Sequence, residues 1–435
     1  MKSALMATAL LFAAAPSFAN DATQDLSLRI QADYDARLGD LFVHFHENPE
    51  LSFREFETAK RIASELTAQG FDVTTGVGET GVVAVMRNGD GPTVMIRADM
   101  DGLPVKEDSG LSYASTKRQV GIDGVENYVM HACGHDVHVT SLIGTGTQMA
   151  RLKDDWSGTL ILVAQPAEEI ISGARAMIKD GLYERFPKPD YALGFHVWSP
   201  VEAGKIMVPK GLAYSSSDSV DVTIRGVGTH GAAPHMGVDP VLVASAFVVN
   251  LQSIISRTIN PLQPGVITVG SFHAGTKNNI IGDSAELKLT VRSDDPGVRQ
   301  TLLDAIDRVA AGTAKAYGVP DDLMPVVTRL PRNTPPLKND AETATFLEAK
   351  LIEAMGPDAV IPPGRSGMGA EDFAEFIDPE HNIDGVYMAV GGTPVDQLDG
   401  VASHHSPFFK VTPEPAITAG TEAMVISAMA LFDRG

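Results

Sequence analysis

A single cysteine, Cys133, stands among 435 residues, so no disulfide can form within the chain. The same scarcity excludes the Pro-Cys-x-x-Cys zinc site of nucleoside deaminases, which needs two thiols. Basic charge is also short: 34 Lys and Arg face 55 Asp and Glu, and 34 − 55 leaves −21. So acidic a surface repels phosphate backbones and argues against nucleic acid as a partner. Beyond residue 19 no stretch reads as long and apolar enough for a membrane span, which takes about 20 residues. There is no internal repeat and no low-complexity tract. What is present, 44% hydrophobic and 20% charged residues, reads as a globular chain too long for one ordinary core, so two domains are expected.

The N-terminus is read apart. Lys2, the apolar run 4–15 and the small-x-small triplet Ser17-Phe18-Ala19 form the pattern of a signal peptide at 1–19. A buried first helix is the competing reading. The signal peptide makes the protein an exported one, periplasmic or secreted. Its mature form loses Lys2, and −21 − 1 gives −22. In an oxidising compartment a lone thiol is a liability unless buried or bound, which directs attention to the surroundings of Cys133.

From about 25 to 210, helix and strand signals alternate. Residues 55–69 read as an amphipathic helix ended by Gly70, and short apolar runs at 81–86, 93–96, 159–164 and 191–195 suit buried, mostly parallel strands. Residues 135–152 and 173–179 read as helices between them. Over 212–327 the order becomes strand, helix, two adjacent strands, helix, strand. After the turn-rich segment 331–336, a helix at 342–355, a strand at 386–390 and a helix at 415–432 resume the first pattern. The fold class expected is α/β. A three-layer catalytic domain with a central, mostly parallel sheet (20–211 and 328–435) is interrupted by a two-layer βαββαβ, ferredoxin-like domain at 212–327.

The densest chemistry lies in Met130-His131-Ala132-Cys133-Gly134-His135-Asp136-Val137-His138. Cys133 and His135 are good ligands for a borderline metal, and their spacing lets both face one ion. They precede a helix, whose N-terminal dipole favours the thiolate. Glu168 and Glu169 follow a strand end, where α/β sheets place their sites. Two readings fit this pair: a metal ligand beside a general base, or solvated acids at a helix start. His196, after the run 191–195, is either a third imidazole at that edge or a core histidine. Ser403-His404-His405-Ser406-Pro407 offers one or two more, Asp99 and Asp101 follow another strand, and His230 and His235 lie in a Gly-rich turn.

Together the motifs RADMDGLP, MHACGHD, QPAEE, FHVW, GTHGAAPH, MGAEDFA and HSPFF, in this order, carry a resemblance. From about Leu41 to its end the chain resembles the M20 metallopeptidases, in the aminoacylase/amidohydrolase branch that includes hippurate hydrolases and auxin-conjugate hydrolases. The resemblance implies two divalent ions per subunit (Zn, Mn, Co or Ni) held by Cys133, His135, Glu169, His196 and His405, with Cys133 where other branches place a bridging Asp. It implies Glu168 as general base and Asp101 as a residue that orients ligands, while His131 and His138 are structural. His405 is preferred over His404 because it directly precedes the Ser-Pro pair. His230 resembles a lid histidine that stabilises an oxyanion, often in the partner subunit's site. Asn279 and Arg292 match positions that touch the substrate carboxylate, although the usual Asn-Val-Ile-Pro ending is here Asn279-Ile280-Ile281-Gly282. The acidic pair Glu371-Asp372 is expected to face the cleft.

The function implied is metal-dependent hydrolysis of the amide bond of a small N-acyl amino acid, giving a carboxylate and a free amino acid. A homodimer through the inserted domain is implied as well. A dipeptidase or carboxypeptidase on the same scaffold is the nearer alternative, and a metal-bearing binding protein without turnover the remoter one.

Overall fold

Continuous apolar runs need cover on both faces, and that is what they receive in the computed structural model, which describes residues 18–434. Strands Gly158–Gln165, Thr93–Asp99, Tyr191–Glu202 and Asp384–Thr393 lie side by side in that order, all parallel. Antiparallel strands flank them: Gly81–Asn88 and Asp72–Val77 on one side, the short Ile206–Met207 on the other. Alternation sorts the side chains. Val82, Ala84, Ile96 and Leu162 enter the core under the helices His135–Arg151 and Pro413–Phe432. Val83, Val85, Met95 and Ile161 enter the opposite core, under Gly173–Lys179 and Phe373–Phe376. Both faces are thus dry, as a parallel sheet requires.

A second sheet has the antiparallel order Gly265–Ala274, Ser284–Ser293, Ser216–Arg225, Val326–Thr334. Helices Pro240–Ser253 and Pro296–Ala316 cover one face, around a core of its own that includes Val222, Phe247, Leu289 and Ile306. Both helices open on Asp-Pro: Asp239 accepts from the Val241 amide and Asp295 from the Gly297 and Val298 amides, with proline at the first helical position.

Several expectations need correction. The strand begun at Tyr191 does not stop before His196; pairing with Asp384–Thr393 prolongs it to Glu202. The turn-rich segment 331–336 carries a strand end, because the register shift between Arg329 and Asn333 lets an edge strand absorb Pro331. Two helices beyond residue 19 do reach the length and apolarity of a span, both at mean hydropathy 1.4. Pro413–Phe432 is 72% buried, a core helix, whereas Pro240–Thr258 is only 28% buried. The strand Asp72–Val77 and the helix Gly39–Glu47 were not foreseen. The signal peptide expected at 1–19 lies outside the described residues except for Phe18 and Ala19, which open the helix Phe18–Asp33.

Candidate metal centre

The parallel strands point their carboxyl ends at one edge, and the chemistry gathers there. Thr93–Asp99 delivers Asp99 and, just past its end, Asp101; Gly158–Gln165 leads into Glu168 and Glu169. The helix His135–Arg151 starts beneath them, with Cys133 and His135 on its threshold. Gly134 between them has φ +85°, and a Cβ there would sit 2.3 Å from Val197 Cγ1, so only glycine fits. His405 is itself left-handed at φ +66°, and its amide donates to the Ala132 carbonyl at 2.8 Å, which ties its loop to the Cys133 segment. Ala167 (φ +50°) is held by its amide's bond to Glu55 Oε1 at 2.8 Å. Such conformations cost about 1–3 kcal/mol each and persist where surroundings dictate them.

Hydrogen bonds fix which atoms are free. His196 Nδ1 donates to the Val197 carbonyl at 2.6 Å, leaving Nε2 3.4 Å from Cys133 Sγ. His135 Nδ1 lies 3.3 Å from Asp101 Oδ1, an ionic contact, while its Nε2 is 3.9 Å from both Glu168 and Glu169. Asp101 also accepts from the Glu168 amide (3.2 Å), the Glu169 amide (3.1 Å) and Ser52 (2.7 Å). It is a clamp behind the site and does not line the cavity. His405 Nε2 lies 3.4 Å from Glu169 Oε2. His138 is spent: Nδ1 donates to Asp99 at 2.5 Å and Nε2 accepts from the Val197 amide at 2.8 Å. His404 Nε2 donates to the Val197 carbonyl at 3.0 Å, which leaves His405 as the free imidazole of the pair.

The donor atoms of Cys133, His135 and His196 lie within 4.8 Å of one another, as do those of Cys133, Glu169 and His405. The two trios share the thiol. His135 Nε2 and Glu169 Oε1 are buried without a hydrogen-bond partner among the described residues, which is costly unless an ion satisfies them. Charge points the same way. Arg97 is the one buried arginine or lysine among the described residues, and Asp99 (2.7 Å), Glu371 (2.8 Å) and Asp372 (3.3 Å) already consume it. Burial, then Glu371 and Glu169, push Glu168 well above the usual carboxylate range. Burial lifts Glu169 to about 8, and burial with Glu169 and Glu168 drives the Cys133 thiol well up. This surplus of buried acid, bearing S, N and O donors, fits divalent cations.

These groups open on a cavity of about 400 Å³ lined by Cys133, Glu168, Glu169, His196, His405 and, from the second sheet, Arg292. Arg292 donates Nε to Thr290 Oγ1 at 3.1 Å and makes no ion pair among the described residues. His230 and Asn279 are not brought here. His230 sits on an exposed two-residue ladder against Ile280, and Asn279 directly precedes that ladder, both in a separate shallow depression. Glu371 lines the cavity as expected, but its oxygens face Arg97 and the Tyr387 hydroxyl, which donates at 2.6 Å; Asp372 is buried on Gln165 and the Ala174 amide. Sequence reasoning gave no role to Arg97, Ser52 and Glu55, part of the scaffold behind the donors, and none to Asp99. Asp99 was in view beside Asp101, but nothing in the spacing says which of two carboxylates turns inward.

Fold and donor set together define a class, a protein that binds divalent metal at the edge of an α/β sheet, and its relatives make it a hydrolase acting on amide bonds. The chain belongs to Peptidase family M20/M25/M40, whose profile matches residues 95–429. It is 38% identical over 334 residues to the hippurate hydrolase of Campylobacter jejuni, covering 77% of this chain and 83% of that one. With thermostable carboxypeptidase 2 of Saccharolobus solfataricus it shares 34% over 395 residues, 88% and 92% of the two chains. The crystal structure of the Bacillus subtilis YXEP protein, described as a dinuclear metal binding peptidase from the M20 family, superposes with a TM-score of 0.74 at 28% identity, over 92% of this chain and 99% of that one.

Proposed function

We propose that the protein hydrolyses the amide bond of N-acyl amino acids to a carboxylate and a free amino acid. The observation that carries this reading is the pair of donor trios sharing Cys133, four of whose five residues line one cavity with Glu168 and Arg292. Cys133, His135, Glu169, His196 and His405 would hold two divalent ions, drawn from Zn, Mn, Co or Ni. When bound, such ions supply Lewis acidity, lowering the pKa of water from about 16 towards 7 and polarising an acyl carbonyl. Glu168 takes the proton of the attacking water and returns it to the leaving amine. Its place in the cavity lining beside Glu169 puts it within reach of a water held there. Arg292 receives the substrate carboxylate in a two-pronged contact. Asp101 holds His135 and the Glu168–Glu169 backbone in place.

The second reading, a carboxypeptidase or dipeptidase, draws on the relative of that name and on Arg292, which would bind a peptide's C-terminal carboxylate equally well. Two further readings extend the proposal. The unit 212–327 acts as a lid and dimerisation domain, with His230 and Asn279 serving the partner's site, supported by their absence from the cavity of their own chain. Export follows the signal pattern at 1–19. The test is amino-acid release from N-acetyl, N-benzoyl and long-chain N-acyl amino acids and from dipeptides, before and after chelation and with each metal restored. Chelator-sensitive release from acyl amino acids with dipeptides inert is expected; faster dipeptide cleavage moves the assignment to peptidase. Glu168→Gln should keep its metal and lose about 10²–10⁴-fold in kcat. Near-wild-type turnover with metal bound would remove Glu168 from the mechanism.

A further inference from the structure

Glu55 is a fully buried carboxylate that neither its own helix nor a cation accounts for. It stands at the N-cap of the helix Phe56–Ala68, yet its side chain makes no bond to that helix's amides. Glu50 takes that part, accepting from the Thr58 amide at 2.8 Å. Burial, then the charge of Asp101, push the Glu55 pKa to about 8, so the acid is kept where ionisation is unfavourable. Both of its oxygens reach across to other elements. Oε2 accepts from the Thr80 hydroxyl at 2.6 Å, and Oε1 accepts from the Ala167 amide at 2.8 Å.

Ala167 is where the chain leaving the strand Gly158–Gln165 turns towards Glu168 and Glu169, and it is left-handed at φ +50°. A side chain disfavours that conformation, which persists only where bonds on both sides impose it. On the far side the Ala167 carbonyl accepts from the Ser172 and Gly173 amides at 3.2 and 3.1 Å. On the near side its amide has Glu55; Asp101 holds only the next two amides, those of Glu168 and Glu169. Glu55 is itself well anchored. In the segment before it, the Glu50 carbonyl accepts from the Gly102 amide at 2.7 Å and Ser52 donates to Asp101 at 2.7 Å. We propose that Glu55 is a positioning residue for the hydrolytic centre: its carboxyl oxygen holds Ala167 left-handed and so aims Glu168 and Glu169. It touches neither substrate nor donor atoms and acts only through the turn. The assignment rests on the proposed function for what Glu168 does once aimed, so one arm of the test needs no substrate.

Three variants separate the acceptor from the charge. Glu55→Gln keeps an oxygen for the Ala167 amide, and the Thr80 hydroxyl can accept from its new amide as readily as it donated. Glu55→Met keeps the length and lacks the oxygen. Glu55→Asp keeps the charge and shortens the reach, and it stands in for the methionine variant if that fails to fold. In metal-loaded enzyme Glu55→Met should lower kcat about 10²-fold with KM within about threefold, the scale set by a small misplacement of a reacting group. Glu55→Gln should stay within about fivefold of wild type, since the acceptor remains. Adding Ala167→Gly to Glu55→Met should recover about tenfold, because glycine adopts a positive φ without being held. In the arm without substrate, amide hydrogen exchange over residues 165–172 should quicken about tenfold in Glu55→Met while the rest of the chain keeps its rates. That local pattern in a protein that cleaves neither acyl amino acids nor dipeptides supports the positioning role and overturns only the proposed function. Near-wild-type kcat in Glu55→Met, a glutamine variant as damaged as the methionine one, or no recovery with Ala167→Gly overturns the positioning role. So does exchange that quickens evenly along the chain, which is a general loss of stability.

Discussion

At the scale of single residues, the centre separates groups that face the cavity from groups that hold them. Asp101 belongs to the second kind. One carboxylate receives the Glu168 amide, the Glu169 amide and Ser52 and faces His135 Nδ1, so it sets the aim of three functional side chains at once. Asp101→Asn keeps the shape but replaces one acceptor oxygen with a donor amide. Second-rank partners of this sort typically control metal affinity by about 10–100-fold. We expect metal retention against a competing chelator to fall by that factor, with kcat of fully loaded enzyme changed much less. Equal loss of kcat at saturating metal would make Asp101 a participant in the reaction. Cys133 and His135 stood out in the residues themselves, whereas Glu169, His196 and His405 came with the resemblance. Cys133 is the only thiol, and three histidines within five residues of it, His131, His135 and His138, narrow the choice. The setting aside of His131 and His138 among the three came from the resemblance and not from spacing. His138 is excluded by bonds to Asp99 and Val197, groups 39 and 59 residues away in the chain.

At the scale of elements, the helix His135–Arg151 is the part on which the centre depends, and two devices fix its start. Gly134→Ala meets both an unfavourable φ and a Cβ 2.3 Å from Val197 Cγ1. A cost of about 1–3 kcal/mol follows from the conformation alone. Calorimetry should show a Tm lower by several degrees, accompanied by weaker metal binding because Cys133 and His135 move apart. The second device is a buried ionic knot: His46 Nδ1 on Asp136 at 2.7 Å and Nε2 on Glu107 at 3.1 Å. Burial lowers the His46 pKa, but the bonds to Asp136 and Glu107 outweigh it and carry the value to about 10. A folded pKa above the ordinary 6.5 means that this contribution is complete below pH 6.5 and is lost as pH rises through about 10. Asp136 and Glu107 are held below the carboxylate range, burial opposing and the bonds to His46 prevailing, so their share is lost only as pH falls through acid values. His46→Leu strands two buried carboxylates and should cost about 3–5 kcal/mol near pH 6. The stability gap between wild type and variant should narrow towards pH 10; a gap independent of pH would show packing to be the cause. Secondary structure here was legible wherever periodicity was strong, as in the helix read at 135–152 and found at His135–Arg151. It was illegible where pairing with a distant strand decides, as in the extension of Tyr191–Glu202 past His196.

At the scale of the whole molecule, the second sheet presents two facts that belong together. Its helix Pro240–Ser253 leaves Leu242 (54%) and Val249 (71%) exposed, and nearby segments add Met236, Leu262 and Ile280, while strand Gly265–Ala274 is an edge with no neighbour on its outer side among the described residues. An apolar helix beside an open strand edge is a surface that monomers avoid. His230, meanwhile, is exposed on that same unit and away from the cavity of its own chain. A two-fold pairing through this unit would cover the apolar face and carry each His230 to the other subunit's cavity. Two measurements separate the parts of that reading. Val249→Glu should shift the mass in solution from dimer to monomer and reduce turnover with it. Subunits bearing Glu168→Gln, inactive as a base, are then mixed with subunits bearing His230→Ala. If His230 serves the partner, each mixed dimer holds one cavity with both residues intact, and random mixing restores roughly a quarter of wild-type sites. If His230 serves its own chain, no mixed dimer has an intact cavity, and activity stays at the average of the two parents.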